Sequence, residues 1–197
     1  MREQTMNTLA RRAFLPVLAL PFLPGCGGGG PSPARVAIYG DSVAYGWQPG
    51  GDRLAPTPAE NLAALLAGAV VLDYSEPGQS VLDARLRRDD GADLVVFRFG
   101  VADAAYHTPW AAYWSAYAGL VRDALGLGLR VLIAGPTATP CAGVSPPPPF
   151  LVPGVPLVRL DGVPADLVDC LHPAPEYSRA CDVLIAEAVR GVLDAAS

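Results

Sequence analysis

From residue 34 onward, short apolar runs alternate with amphipathic stretches. Strand-like runs fall at 35–39, 70–74, 93–99, 130–134 and 157–160, and helix-like segments at 58–66, 81–88, 109–125 and 176–195. The runs are almost continuously apolar, as strands buried on both faces are. Their alternation with helices predicts a parallel sheet covered on both sides, a three-layer α/β/α domain with a flavodoxin-like, five-stranded parallel sheet. Folds of this kind bind ligands beyond the carboxyl ends of the strands. Gly40-Asp41-Ser42, Ser75-Glu76-Pro77-Gly78 and Gly100-Val101-Ala102-Asp103 follow the first three strands, and Asp169-Cys170-Leu171-His172 precedes the last helix. The predicted topology brings all four to one rim.

Gly, Asp and Ser are ordinary turn formers, so Gly40-Asp41-Ser42 taken alone marks only the end of a strand. A hydroxyl nucleophile needs a base within hydrogen-bond reach, and the base needs a group to orient it. Asp169-x-x-His172 offers both within one turn of chain: the carboxylate accepts from Nδ1 while Nε2 faces Ser42, and Pro173 fixes the backbone that follows. The other histidine, His107, lies near the third loop.

These blocks resemble those of the SGNH (GDSL-type) hydrolase family over about residues 35–193. "YGDSVAYG" matches the first block, "SEPGQSV" the second more weakly, and "DCLHP" the fifth. The resemblance implies a serine ester hydrolase, an acyl-ester or O-acetyl esterase, with Ser42 as nucleophile, His172 as base and Asp169 as its orienter. It also implies an oxyanion hole built from the N–H groups of Ser42 and Gly78, with no cofactor and no metal. Small acyl esters, lipids or acetylated glycans are the substrates it suggests. The third block departs from the family pattern Gly-x-Asn-Asp: Ala102 stands where the oxyanion-binding Asn is expected. Losing one such donor typically lowers turnover by about 10²–10³, so a substitute is expected. Gln79 is the first candidate, with Gln48 and a protonated His107 behind it, while Asn61 belongs to a helix remote from the rim. The alternative is a weakened member of the family that binds a glycan or lipid ligand in the cell envelope.

Composition narrows the field further. The net charge is −5, and all 14 basic residues are Arg. No basic stripe is present to neutralise phosphates, which excludes a nucleic-acid partner. The absence of Lys excludes phosphate-loop, Schiff-base and Ser-Lys chemistry.

The first residues have their own pattern. Arg11-Arg12 precedes an apolar run at 13–23 and then Pro24-Gly25-Cys26. That run is shorter than the roughly 17–25 residues a membrane-spanning helix needs and reads as an export signal. Leu23-Pro24-Gly25-Cys26 resembles a bacterial lipobox, which implies a signal peptide over 1–25 and lipidation at Cys26. A signal cleaved elsewhere, with Cys26 unmodified, is the other reading. Residues 26–34 form a Gly/Pro-rich tether, and 35–197 form the hydrolase-like domain. The expectation is a monomer of the bacterial envelope or periplasm, touching membrane only through its lipid anchor.

Of the remaining cysteines, Cys141 and Cys170 fall in loops predicted to meet at the rim and are the candidate disulfide of an exported protein. Cys181 sits on the apolar face of the last helix and reads as a small core residue. Trp110, Tyr113, Trp114 and Tyr117 follow helical spacing. They pack on the sheet, or Trp110 and Trp114 wall the pocket. The Pro-rich segment 145–156 is a stiff loop expected to edge it.

Overall fold

The computed structural model describes residues 32–88, 91–135, 151–163, 167–169 and 171–195. Every element below lies within the unit Pro33–Ser197. The strands are β1 (Arg35–Gly40), β2 (Val70–Asp73), β3 (Leu94–Arg98), β4 (Arg130–Ala134) and β5 (Leu157–Val158). They form one parallel sheet in the order β2-β1-β3-β4-β5. The helices are α1 (Ser42–Tyr45), α2 (Pro58–Leu65), α3 (Val101–Ala105), α4 (Trp110–Gly126) and α5 (Pro175–Asp194). This is the predicted three-layer architecture with the predicted strand order.

Side chains alternate across the strands, which splits the core into two layers. Val36 and Ile38 of β1, Leu94 and Val96 of β3, and Leu132 and Ala134 of β4 point to one face. There they meet Leu62 of α2 and Tyr177, Cys181, Ile185 and Val189 of α5. Ala37, Tyr39, Val95, Phe97, Val131 and Ile133 point to the other face, against Tyr113, Tyr117, Leu120, Val121 and Ala124 of α4. The i, i+3, i+4 spacing of those α4 and α5 residues makes each helix a one-sided stripe. α2 opens with a complete capping box: Thr57 accepts from the Glu60 N–H, and Glu60 accepts from the Thr57 N–H.

The helix expected at 81–88 does not form. The chain makes a turn at 81–83 and then runs irregularly, with Val81 and Ala84 buried against the second face and Leu82, Asp83, Arg85 and Arg87 exposed. Eight residues are too few to hold a helix without tertiary help, and here tertiary bonds pull the other way. The Val81 N–H donates to Asp103 at 3.0 Å and the Arg87 N–H to the Tyr39 hydroxyl at 2.9 Å. Among the described residues no helix is long and apolar enough to cross a membrane.

Candidate active site

β1 must stop at Gly40. A Cβ there would lie 2.4 Å from Ala44 Cβ and 2.4 Å from the Arg98 carbonyl oxygen, so only glycine lets the chain fold α1 back over the strand end. Asp41 is the N-cap of α1, its Oδ1 accepting from the Val43 N–H at 3.0 Å. Its Oδ2 accepts from the N–H groups of Gly100, Val101 and Ala102 at 3.1, 2.8 and 3.2 Å. One carboxylate therefore caps α1 and α3 together. Burial pushes the Asp41 pKa above its ordinary value, against the opposing pull of these N–H groups and of the Arg98 guanidinium.

α3 in turn holds the loop after β2. Asp103 is fully buried and accepts from the Ser80 hydroxyl at 2.5 Å and from the Val81 N–H at 3.0 Å. This fixes the strand-two loop that carries Gly78. Gly78 has φ +73°, and a Cβ on it would lie 2.8 Å from the Tyr106 hydroxyl. The positive φ is what calls for glycine there, since the Tyr106 hydroxyl, at the far end of an exposed side chain, can give way.

Ser42 is the first residue of α1 and its Oγ lies 3.0 Å from His172 Nε2. His172 Nδ1 lies 2.8 Å from Asp169 Oδ2 and 3.1 Å from Oδ1. With the Nδ1–H tautomer this aligns donor and acceptor along the whole chain: Nδ1–H donates to Asp169, and Nε2 accepts from the Ser42 hydroxyl. Asp169 Oδ1 also accepts from the N–H groups of Leu171 and His172, each at 2.7 Å. Burial works to raise the Asp169 pKa, but the His172 side chain and these N–H donors outweigh it, and the carboxyl titrates below its ordinary value. The His172 bend is closed by a bridge between Leu167 and Pro173 and by the Val168 N–H donating to the His172 carbonyl at 3.0 Å. Residues 130 positions apart in sequence thus share one hydrogen-bonded line.

Ser42 and His172 open into a cavity of 210 Å³, whose other walls are Trp47, Pro77, Gly78, Val101, Ala102, Ala105, Tyr106 and Leu171. Among the described residues the lining is mostly apolar and holds no acidic or Arg side chain. Trp47 packs against the imidazole with ring centroids 4.3 Å apart. It is a wall that the sequence pattern does not single out. The available signal is its place in the loop after Ser42, where a large aromatic next to a candidate site has reason to be buried.

Two of the amides proposed as substitute donors are engaged elsewhere. Gln48 donates to the Trp47 and Pro173 carbonyls at 3.0 and 3.1 Å, tying the serine loop to the histidine bend. Asn61 donates to Asp182 at 3.0 Å beneath the sheet. Gln79 lies outside the cavity lining, and His107 is exposed at the end of α3. Trp110 and Trp114 pack around Tyr113 on the second face, outside the cavity. Of the cysteines, Cys181 is a buried free thiol whose pKa burial raises. Cys26, Cys141 and Cys170, and residues 145–150 of the Pro-rich loop, lie outside the described residues. Among the described residues, no group of three His, Cys, Asp or Glu side chains is arranged to hold a metal ion.

A family model described as the GDSL-like lipase/acylhydrolase family matches residues 38–180. Solved structures share the fold at low identity. A lipase/acylhydrolase from Enterococcus faecalis superposes with a TM-score of 0.63 at 19% identity, over 80% of this chain and 96% of that one. A member of the lipolytic protein G-D-S-L family from Veillonella parvula gives 0.59 at 12% identity, over 80% and 98%. A GDSL-like lipase from Bacteroides thetaiotaomicron gives 0.58 at 16% identity, over 80% and 88%. No curated protein matches the sequence.

Proposed function

From membership of the GDSL-like lipase/acylhydrolase family, to which this chain belongs, we propose that it is a serine ester hydrolase. The observation that carries the reading is the continuous line from Ser42 Oγ through His172 to Asp169, with contacts of 3.0 and 2.8 Å. In the proposed reaction the Ser42 oxygen forms a bond to the acyl carbon while its proton passes to His172 Nε2. The carbonyl π pair moves onto oxygen, where the N–H groups of Ser42 and Gly78 receive it. Ser42 opens α1, so its N–H is among those left unpaired at a helix start. Collapse of the adduct expels the alkoxide, which takes the proton from Nε2. Water then repeats the sequence to release the acid, and Asp169 holds the imidazolium formed in each half.

The apolar cavity favours a small neutral acyl group, from a simple ester, a lipid or an acetylated glycan. Residues 1–25 act as the export signal and Cys26 as the lipidated anchor, which puts the enzyme in the cell envelope. Mass spectrometry of the mature N-terminus tests that part: an unmodified Cys26, or cleavage at another position, removes the anchor.

Short-chain p-nitrophenyl esters and a fluorophosphonate probe test the activity. Turnover well above that of Ser42→Ala, with labelling at Ser42, is expected. The Ala102 methyl in the oxyanion-facing block favours a second reading, an envelope protein that binds a glycan or lipid on the same fold. No labelling and no turnover above Ser42→Ala would decide for it.

A further inference from the structure

We propose that the Tyr106 hydroxyl donates a hydrogen bond to the oxyanion, the side-chain contribution that Ala102 cannot make; this role rests on the ester-hydrolase reading. Three observations carry it. The Tyr106 N–H donates to the Ala102 carbonyl at 2.9 Å, so the two residues stand one turn apart at the end of α3 and share a side of it. Both line the cavity together with Ser42 and Gly78. A Cβ added to Gly78 would meet the Tyr106 hydroxyl at 2.8 Å. The hydroxyl therefore sits against the very residue whose N–H serves the oxyanion.

Of the competing donors, the Ala102 N–H is engaged by Asp41 and the Gln48 and Asn61 amides by other partners, while Gln79 and His107 are not among the residues that line the cavity. The Trp47 indole borders the cavity too, but its ring packs on the imidazole, on the base side of the reacting centre. Tyr106 stands on the Gly78 side. No proton leaves it: the phenol O–H only donates, and the bond strengthens as charge builds on the carbonyl oxygen.

The test compares wild type, Tyr106→Phe, and Tyr106→Phe combined with Ala102→Asn on p-nitrophenyl butyrate. Tyr106 is 61% exposed, so removing its hydroxyl leaves the fold intact, which thermal melting verifies. The expected result is a fall in kcat of about 10²-fold for Tyr106→Phe, with KM within about threefold. Adding Ala102→Asn should restore kcat at least about tenfold, because the amide reaches the same oxygen from the same side of α3. Affinity for a trifluoromethyl ketone, which forms a tetrahedral adduct, should fall in parallel, while affinity for the matching alcohol should not. A kcat within twofold of wild type, or a change confined to KM, overturns the role and leaves the Ser42 reading standing. Wild-type turnover no higher than that of Ser42→Ala overturns both.

Discussion

Asp41 and Asp169 are both tied to backbone N–H groups, yet their surroundings shift them in opposite directions. Asp169 is partly exposed, and its bonds to His172 and two N–H groups hold its pKa below the unfolded value. A group shifted down contributes stability above its unfolded pKa and loses it as pH falls through the folded one. The part of the stability advantage of wild type over Asp169→Asn that comes from this lowered pKa should be fully present above about pH 5 and be lost as pH falls below about 4, measured as paired melting curves. Asp41 acts through its acceptors. Removing its carboxylate in Asp41→Ala orphans N–H groups at two helix starts, each at about 1–3 kcal/mol when buried. A loss of about 3 kcal/mol or more in unfolding free energy is expected by denaturant titration. The pairing of Ser42 with Asp169 and His172 is legible in the sequence because each residue type has a chemical task. Tyr106 is not, since its side chain carries no local mark of the wall it will form, and Trp47 is marked only by its place in the loop after Ser42. Gln79 and His107 are not among the residues lining the cavity, since nearness in sequence to the block does not fix where a side chain points.

Elements whose length lets a period repeat are the ones the pattern predicts. β1, β3 and β4 and the long helices α4 and α5 fall close to their predicted positions. α1 and α3, of four and five residues, show no period at all and exist because Asp41 caps them. The segment 81–88 has a period but yields it to the bonds from Asp103 and Tyr39. The loop after β2 depends on this framework, and Gly78→Ala tests it. The added methyl meets the Tyr106 hydroxyl and forces a side chain into positive φ, which costs about 1–2 kcal/mol. A fall in kcat larger than that small stability loss would suggest is expected, because on the proposed mechanism the shifted N–H no longer faces the oxyanion. Gln48→Ala loosens a different joint, between the serine loop and Pro173. It should lower kcat several-fold with little change in melting temperature.

At the scale of the domain, two apolar layers sandwich the sheet, and a charged pair is buried among its described residues. Arg98, at the end of β3, donates to Asp182 of α5 at 3.2 Å, the two side chains 4% and 0% exposed. Asn61 of α2 donates to the same carboxylate. Arg98→Met strands Asp182 in the interior, and breaking such a pair costs about 3–5 kcal/mol. The double variant Arg98→Met/Asp182→Leu should recover much of that, as seen by chemical denaturation. The sheet tolerates wide sequence change, as the 12–19% identities of its structural neighbours show, because its strands, buried on both faces, ask only for apolar side chains. The cavity is less forgiving. Since Asp41 alone suspends both the Ser42 turn and α3 opposite, the gap between them has one gauge and cannot be widened by drift on either side. On the proposed ester-hydrolase reading, adaptation to bulkier esters is therefore left to Ala105 and Leu171, which line the cavity and can be exchanged without disturbing that spacing.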